Sequence, residues 1–275
     1  MAPTLAITSA RIFYDGISDH RFRNPEGIAV QDDGSIWCGT STGWVYRIEP
    51  DGSGARPVAS TGGFLLGIGF DRNDTLYVCD LLQATVLRLP SGAATFEPFA
   101  RPSAGAMRVP NAVVVDDEGG AVYVSDSHGD GPGPGIWRFD IGTGEGGLWY
   151  AGDLDWANGM VMSPDRSAIL VAESWGRRVT RVGIEPDGSA GAAEDFLTVG
   201  NDVVIDGLTL DGDGNLILLC YAPSRVYRHR AGTLELVIDD PDHSVLCHPT
   251  NGVLKDGTLY TANLGRWHIT AIAWS

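Results

Sequence analysis

An internal repeat constrains this chain more than any other feature of its sequence. From Asn158 to Ser174 the order is a polar residue, a glycine, a short apolar strand, an Asp-containing turn, a second apolar strand and an acid, Glu173, near the end. The same order runs from Glu26 through Asp32-Asp33-Gly34 to Ile36-Trp37-Cys38, and from Leu66 through Asp71-Arg72-Asn73-Asp74 to Asp80. Further copies begin at Asn111, Asp206 and Asn251, so the leading positions are spaced by 40, 45, 47, 48 and 45 residues. Such a period marks an array of small units, each burying its apolar faces only against its neighbours.

The units are made of strands. Turn-forming residues punctuate short apolar runs throughout, and 37 glycines and 15 prolines are too many for a helical protein. In the first unit a third strand, Gly43 to Ile48, is followed by the turn Pro50-Asp51-Gly52 and a fourth strand near Arg56-Pro57-Val58. Four short strands per unit predict an all-β, six-bladed β-propeller with four antiparallel strands per blade, filling residues 1–275 as a single domain. The strand Ala10 to Tyr14 precedes the first unit, while the last unit ends early, at His268 to Trp274. The N-terminal strand is therefore expected to complete the last blade and close the ring, leaving no long sheet edge.

Charge narrows the range of partners. A formal net charge of −16 disfavours nucleic acid and anionic membrane surfaces, which would repel the chain before contact. No run approaches the roughly 20 apolar residues that span a bilayer, and Met1 to Ala6 lacks the basic and apolar regions of a secretory signal. The expectation is a cytoplasmic protein, monomeric or weakly homo-oligomeric, acting on a small molecule. Cys38, Cys79, Cys220 and Cys247 are scattered, without a Cys-x-x-Cys pair or zinc-ligand spacing, and read as reduced, buried strand cysteines.

In a propeller the first strand of every blade lines the central channel, so equivalent positions converge on the axis. The leading positions hold Glu26, Leu66, Asn111, Asn158, Asp206 and Asn251, five of them oxygen-bearing. Two carboxylates with neutral amide oxygens form a hard set suited to Ca2+ or Mg2+, and channel waters can complete a flexible calcium shell. Asp211-Gly212-Asp213-Gly214-Asn215 begins like a helix-loop-helix calcium loop, but Leu216 and Ala222 occupy its required Gly and Glu positions, so it is read as a hairpin turn. A second series, Asp80, Asp126, Glu173 and Asn263, ends the second strands and is expected to bond neighbouring backbone. Ser127 to Gly135 is the one glycine-proline insertion and is read as a rim over the channel mouth, carrying His128.

A divalent cation in such a site would polarise a carbonyl while an adjacent carboxylate takes a proton from the attacking water. A ring-closed ester presents its carbonyl without a long leaving chain, and the expected reaction is lactone hydrolysis. Asp206 is the candidate base and a metal ligand, Glu26 and Asn158 are the other metal ligands, and Asn111, Asn251 and His128 are candidate substrate contacts. A metal-independent propeller catalysing condensation or isomerisation, and a propeller that only binds a ligand, remain the alternatives.

Four motifs, Asn24-Pro25-Glu26-Gly27, Pro110-Asn111, Ala157-Asn158-Gly159 with Ser163-Pro164-Asp165, and Ile205-Asp206-Gly207, resemble the regucalcin, gluconolactonase and luciferin-regenerating-enzyme family of six-bladed propellers. The resemblance spans essentially the whole chain. It implies a divalent cation, usually Ca2+ but also Mg2+, Mn2+ or Zn2+, at Glu26, Asn158 and Asp206. It further implies a metal or substrate contact at Asn111 and a base at Asp206. The stretch from Asn158 to Ser174 is also similar to blade four of the strictosidine synthase-like propellers, which implies the metal-independent alternative.

Overall fold

In the computed structural model, which describes residues 2–129 and 131–274, the chain forms six antiparallel sheets in chain order around one axis. The six inner strands are Pro25–Val30, Leu65–Phe70, Pro110–Asp116, Ala157–Met162, Val204–Leu210 and Pro249–Lys255. Each turns back through three further strands toward the rim. The molecule is thus the six-bladed β-propeller that the repeat predicts. Blade three departs from the four-strand rule, because Arg101–Pro102 adds a short fifth strand parallel to its outermost strand, Glu145–Leu154.

The ring closes as expected. Ala10–Asp15 pairs antiparallel with His268–Ala273, so the first strand of the chain is the outermost strand of the last blade. Adjacent blades share their cores: six apolar clusters fill the six interfaces. In the cluster between blades six and one, Phe13 and Phe22 pack with Ile28, Tyr46 and Ile269. Each sheet lies between two neighbours, so its second strand is buried on both faces and sends alternate side chains to opposite sides: in Ile36–Thr40, Ile36 and Cys38 enter one cluster and Trp37 the next. Among the described residues no helix is long and apolar enough to cross a membrane.

One local irregularity positions the site. In every blade the register between the inner strand and its neighbour slips near the start of the inner strand. In blade one, for example, Pro25 faces Thr40 and Ile28 faces Cys38, leaving Glu26 and Gly27 opposite a single residue. Such a bulge twists the strand and re-aims its side chains. It lies at the leading position of the repeat and turns that side chain toward the axis.

Candidate functional site

The bulges assign each blade's contribution to the axis. Glu26, Leu66, Asn111, Asn158 and Asp206 occupy the slot in blades one to five, as the repeat predicts. In blade six the slot belongs to Thr250, because Pro249 faces Asn263 and Gly252 faces Thr261. Asn251 takes the next position, where the other blades carry Gly27, Gly67, Ala112, Gly159 and Gly207, and it lines the channel of about 480 Å3 together with Ile28, Val113 and Met160. The small residues in that row answer to close approach. A Cβ on Gly27 would lie 2.1 Å from the Leu66 carbonyl oxygen, and one on Gly207 2.2 Å from that of Thr250.

Hydroxyl groups orient the two amides. Ser127 Oγ donates to the Ala157 carbonyl at 2.7 Å, and Ser174 Oγ donates to the Ile205 carbonyl at 2.7 Å. With its proton committed, each hydroxyl can only accept from the asparagine of its own blade. Asn111 Nδ2 donates to Ser127 Oγ at 2.9 Å and Asn158 Nδ2 to Ser174 Oγ at 3.1 Å. The amide oxygens must then point the other way. Among the described residues, Asn111 Oδ1, Asn158 Oδ1 and Asp206 Oδ1 are all buried without a hydrogen-bond partner, whereas buried polar atoms in folded proteins are nearly always satisfied.

The electrostatics agree with that geometry. Glu26 and Asp206 are only 6% and 7% exposed. Burial and the neighbouring Asp206 charge push the Glu26 carboxyl well above the usual carboxylate range, partly offset by the Thr250 hydroxyl. Burial raises Asp206 to about 7, with the Asn158 side chain working against the shift. Among the described residues, no cationic side chain is among the groups acting on either. Tyr221, in the second strand of blade five (Leu216–Ala222), feels the same charges, its hydroxyl raised by burial and then by Asp206 and Glu26.

Three further expectations can be placed. His128 follows Ser127 on the rim of blade three, its Nε2 3.2 Å from Arg108 Nη1, while Asp126 accepts the backbone N–H groups of Arg108, Val109 and His128. Asp130 of the same insertion lies outside the described residues. Glu173 is a blade-holding residue: burial alone would raise its carboxyl, but Arg178, the Asp155 N–H and Thr180 bond it and hold it below its ordinary value. Asp211 closes a tight turn by accepting from the Asp213 and Asn215 N–H groups, which is the hairpin expected there.

One expectation about the cysteines fails. Cys38, Cys79 and Cys220 lie in strands, where burial raises their thiols. Cys247 instead lies in the loop before the inner strand of blade six, grouped with His243 and His248. The spacing His-x-x-x-Cys-His was legible in the sequence but falls outside Cys-x-x-Cys patterns. The orienting serines were also missed, although Ser127 and Ser174 each follow the acid ending a second strand.

Residues 53–261 match the model of the SMP-30/gluconolactonase/LRE-like region, and residues 17–48 match the N-terminal strictosidine synthase-like model. Among curated proteins the chain is 25% identical over 296 residues to Strictosidine synthase-like 6 of Arabidopsis thaliana, covering 90% of this chain and 78% of that protein. It is 28% identical over 211 residues to Strictosidine synthase-like 4 of the same plant, covering 70% and 55%. Among solved structures, a gluconolactonase from Xanthomonas campestris superposes with a TM-score of 0.79 at 18% identity, covering 97% of this chain and 89% of the other. A putative gluconolactonase superposes at 0.76 with 17% identity, covering 96% and 91%. These two structures share the propeller fold, and because the first family model spans well over half of the sequence, the chain belongs to the SMP-30/gluconolactonase/LRE-like family.

Proposed function

We propose that the protein is a hydrolase of a lactone or related ester, working with a divalent cation, Ca2+ foremost, held by Glu26, Asn158 and Asp206. The observation that carries this reading is the set of unpartnered oxygens. Among the described residues, Asn111, Asn158 and Asp206 each keep a buried Oδ1 without a donor, beside a second buried carboxylate, Glu26, that burial and the Asp206 charge push well above the usual carboxylate range. Burying two like charges is costly unless a counter-charge is present. The donor set is all oxygen, which suits a hard cation.

When bound, the cation neutralises the carboxylate pair and polarises a substrate carbonyl. The chain's own residues do the rest. Asp206, with its proton affinity near the working pH, can accept a proton from water as that water's oxygen bonds to the carbonyl carbon. The ring C–O bond then breaks, and the departing alkoxide takes back the proton held by Asp206, which regenerates the base and gives the hydroxy acid. Asn111, fixed by Ser127, can accept a hydrogen bond from substrate or water, and His128 and Arg108, 3.2 Å apart, are further candidate contacts for a substrate's polar groups.

The deciding experiment combines elemental mass spectrometry with a panel of aliphatic, aromatic and sugar lactones, each assayed with and without chelator. The expected result is about one divalent ion per chain and turnover that chelation abolishes and Ca2+ restores. A metal-independent condensation or isomerisation is the second reading, favoured by the strictosidine synthase-like names of the curated relatives. Protein free of divalent ions that gains no thermal stability from Ca2+ would favour that reading and sink the first.

A further inference from the structure

We propose that His243, Cys247 and His248 form a second, softer metal site, suited to Zn2+, on the rim between blades five and six. The proposal stands apart from the oxygen-lined site and needs no lactonase activity. A ring nitrogen from each histidine and the Cys247 sulfur lie within 4.8 Å of one another. Zn–N bonds of about 2.0 Å and a Zn–S bond of about 2.3 Å would close that span with small side-chain rotations.

The surrounding contacts prepare these atoms as ligands. His248 Nδ1 lies 2.7 Å from the Tyr221 carbonyl oxygen, which has no proton to give, so Nδ1 carries the hydrogen and Nε2 presents its lone pair. This is the outer-shell arrangement that metal-ligating histidines use. The Tyr221 ring stacks on the His248 ring at 4.5 Å, fixing its plane. His243 Nδ1 lies 3.0 Å from Ser224 Oγ, and the same hydroxyl accepts the His248 N–H at 3.0 Å. One serine thus braces both histidines.

The loop that carries them is held from inside. Buried Asp240 accepts the N–H groups of Ser244, Val245 and Leu246 at 2.8 to 3.0 Å. Asn263 Oδ1 accepts the Cys247 N–H at 2.9 Å, and Arg266 donates to the His243 carbonyl. Both histidines adopt left-handed backbone conformations, with φ of 52° and 55°, a strain that persists where surrounding structure imposes it. Two imidazoles and a thiol select a borderline ion such as Zn2+ over Ca2+, and three protein ligands leave a fourth position open. The half-buried imidazoles provide an entry path, and the thiol proton passes to solvent on binding.

Cobalt titration tests the site, because a thiolate–Co2+ bond absorbs in the near ultraviolet and an all-oxygen site does not. The expected result is a charge-transfer band that saturates at one Co2+ per chain and is displaced by Zn2+. Cys247→Ser should abolish the band, while Glu26→Gln/Asp206→Asn should retain it. Ser224→Ala should lower Zn2+ affinity by about 10–100-fold. Should Cys247→Ser fail to fold, His243→Gln replaces it, with a weakened and shifted band expected. Absence of the band in the unaltered protein, or its survival unchanged in folded Cys247→Ser or His243→Gln, overturns the proposal.

Discussion

Asn158 is useful to a cation only while its amide oxygen points inward, and that orientation depends on a hydroxyl that would not itself touch the metal. Ser174 accepts from Asn158 Nδ2 and donates to the Ile205 carbonyl of the next blade. Ser174→Ala should therefore cost about 1–3 kcal/mol of stability by leaving buried polar groups unpaired, and lower Ca2+ affinity by about 10–100-fold. Calorimetric titration and thermal melting check this, and Ser174→Thr should recover much of both. The two carboxylates divide differently. Asp206→Asn preserves a ligand oxygen but removes the base, so Ca2+ should stay bound while turnover falls on the order of 10²-fold or more. Full activity in that variant would remove Asp206 from its role. Glu26→Gln takes away one of the two formal charges and should weaken Ca2+ binding, and an unchanged titration would exclude Glu26 as a ligand.

The inner strands meet so closely that backbone, not side chains, sets their spacing. A Cβ on Gly159 would stand 2.5 Å from Gly207 Cα and 2.6 Å from the Asp206 carbonyl oxygen. Gly159→Ala must then push blade five away from blade four at the point where Asn158 and Asp206 converge. Overpacking of this kind costs about 1–3 kcal/mol, and the accompanying loss of Ca2+ affinity should exceed that of Gly212→Ala, where a Cβ meets nothing within 4 Å. The repeat made much of this legible from sequence: six units, the shared register slot of Glu26, Asn111, Asn158 and Asp206, and the closing strand. It was misleading in blade six, where Asn251-Gly252 imitates Asn158-Gly159 although the strand register puts Thr250 in the slot. The proline before the slot, Pro249 as in Pro25 and Pro110, carried the correct alignment. The bulges left no sequence mark of their own because they are a property of paired strands, and the serine locks join residues about 16 positions apart.

At the scale of the whole ring, the unpaired oxygens make stability depend jointly on pH and cation. Asp206 rises from its ordinary 3.8 to about 7 in the folded state, and Glu26 also moves up, both chiefly through burial. A raised carboxyl binds more protons folded than unfolded, so its contribution is fully present below about pH 4 and is lost as pH rises through about 7. In chelator, the melting temperature should fall across that window. A cation that binds the folded, ionised pair adds RT ln(1 + [L]/Kd), about 2.7 kcal/mol at a hundredfold excess over Kd. The gap between melting curves in Ca2+ and in chelator should therefore widen from about pH 5 to about pH 8. The formal charge of −16 also weakens the fold as pH rises, but that repulsion is screened by salt, so the series is run at one high ionic strength. Glu26→Gln/Asp206→Asn supplies the internal control, since it removes both ionisations and should leave the two curves parallel. Parallel curves in the unaltered protein would mean that no cation engages this carboxylate pair.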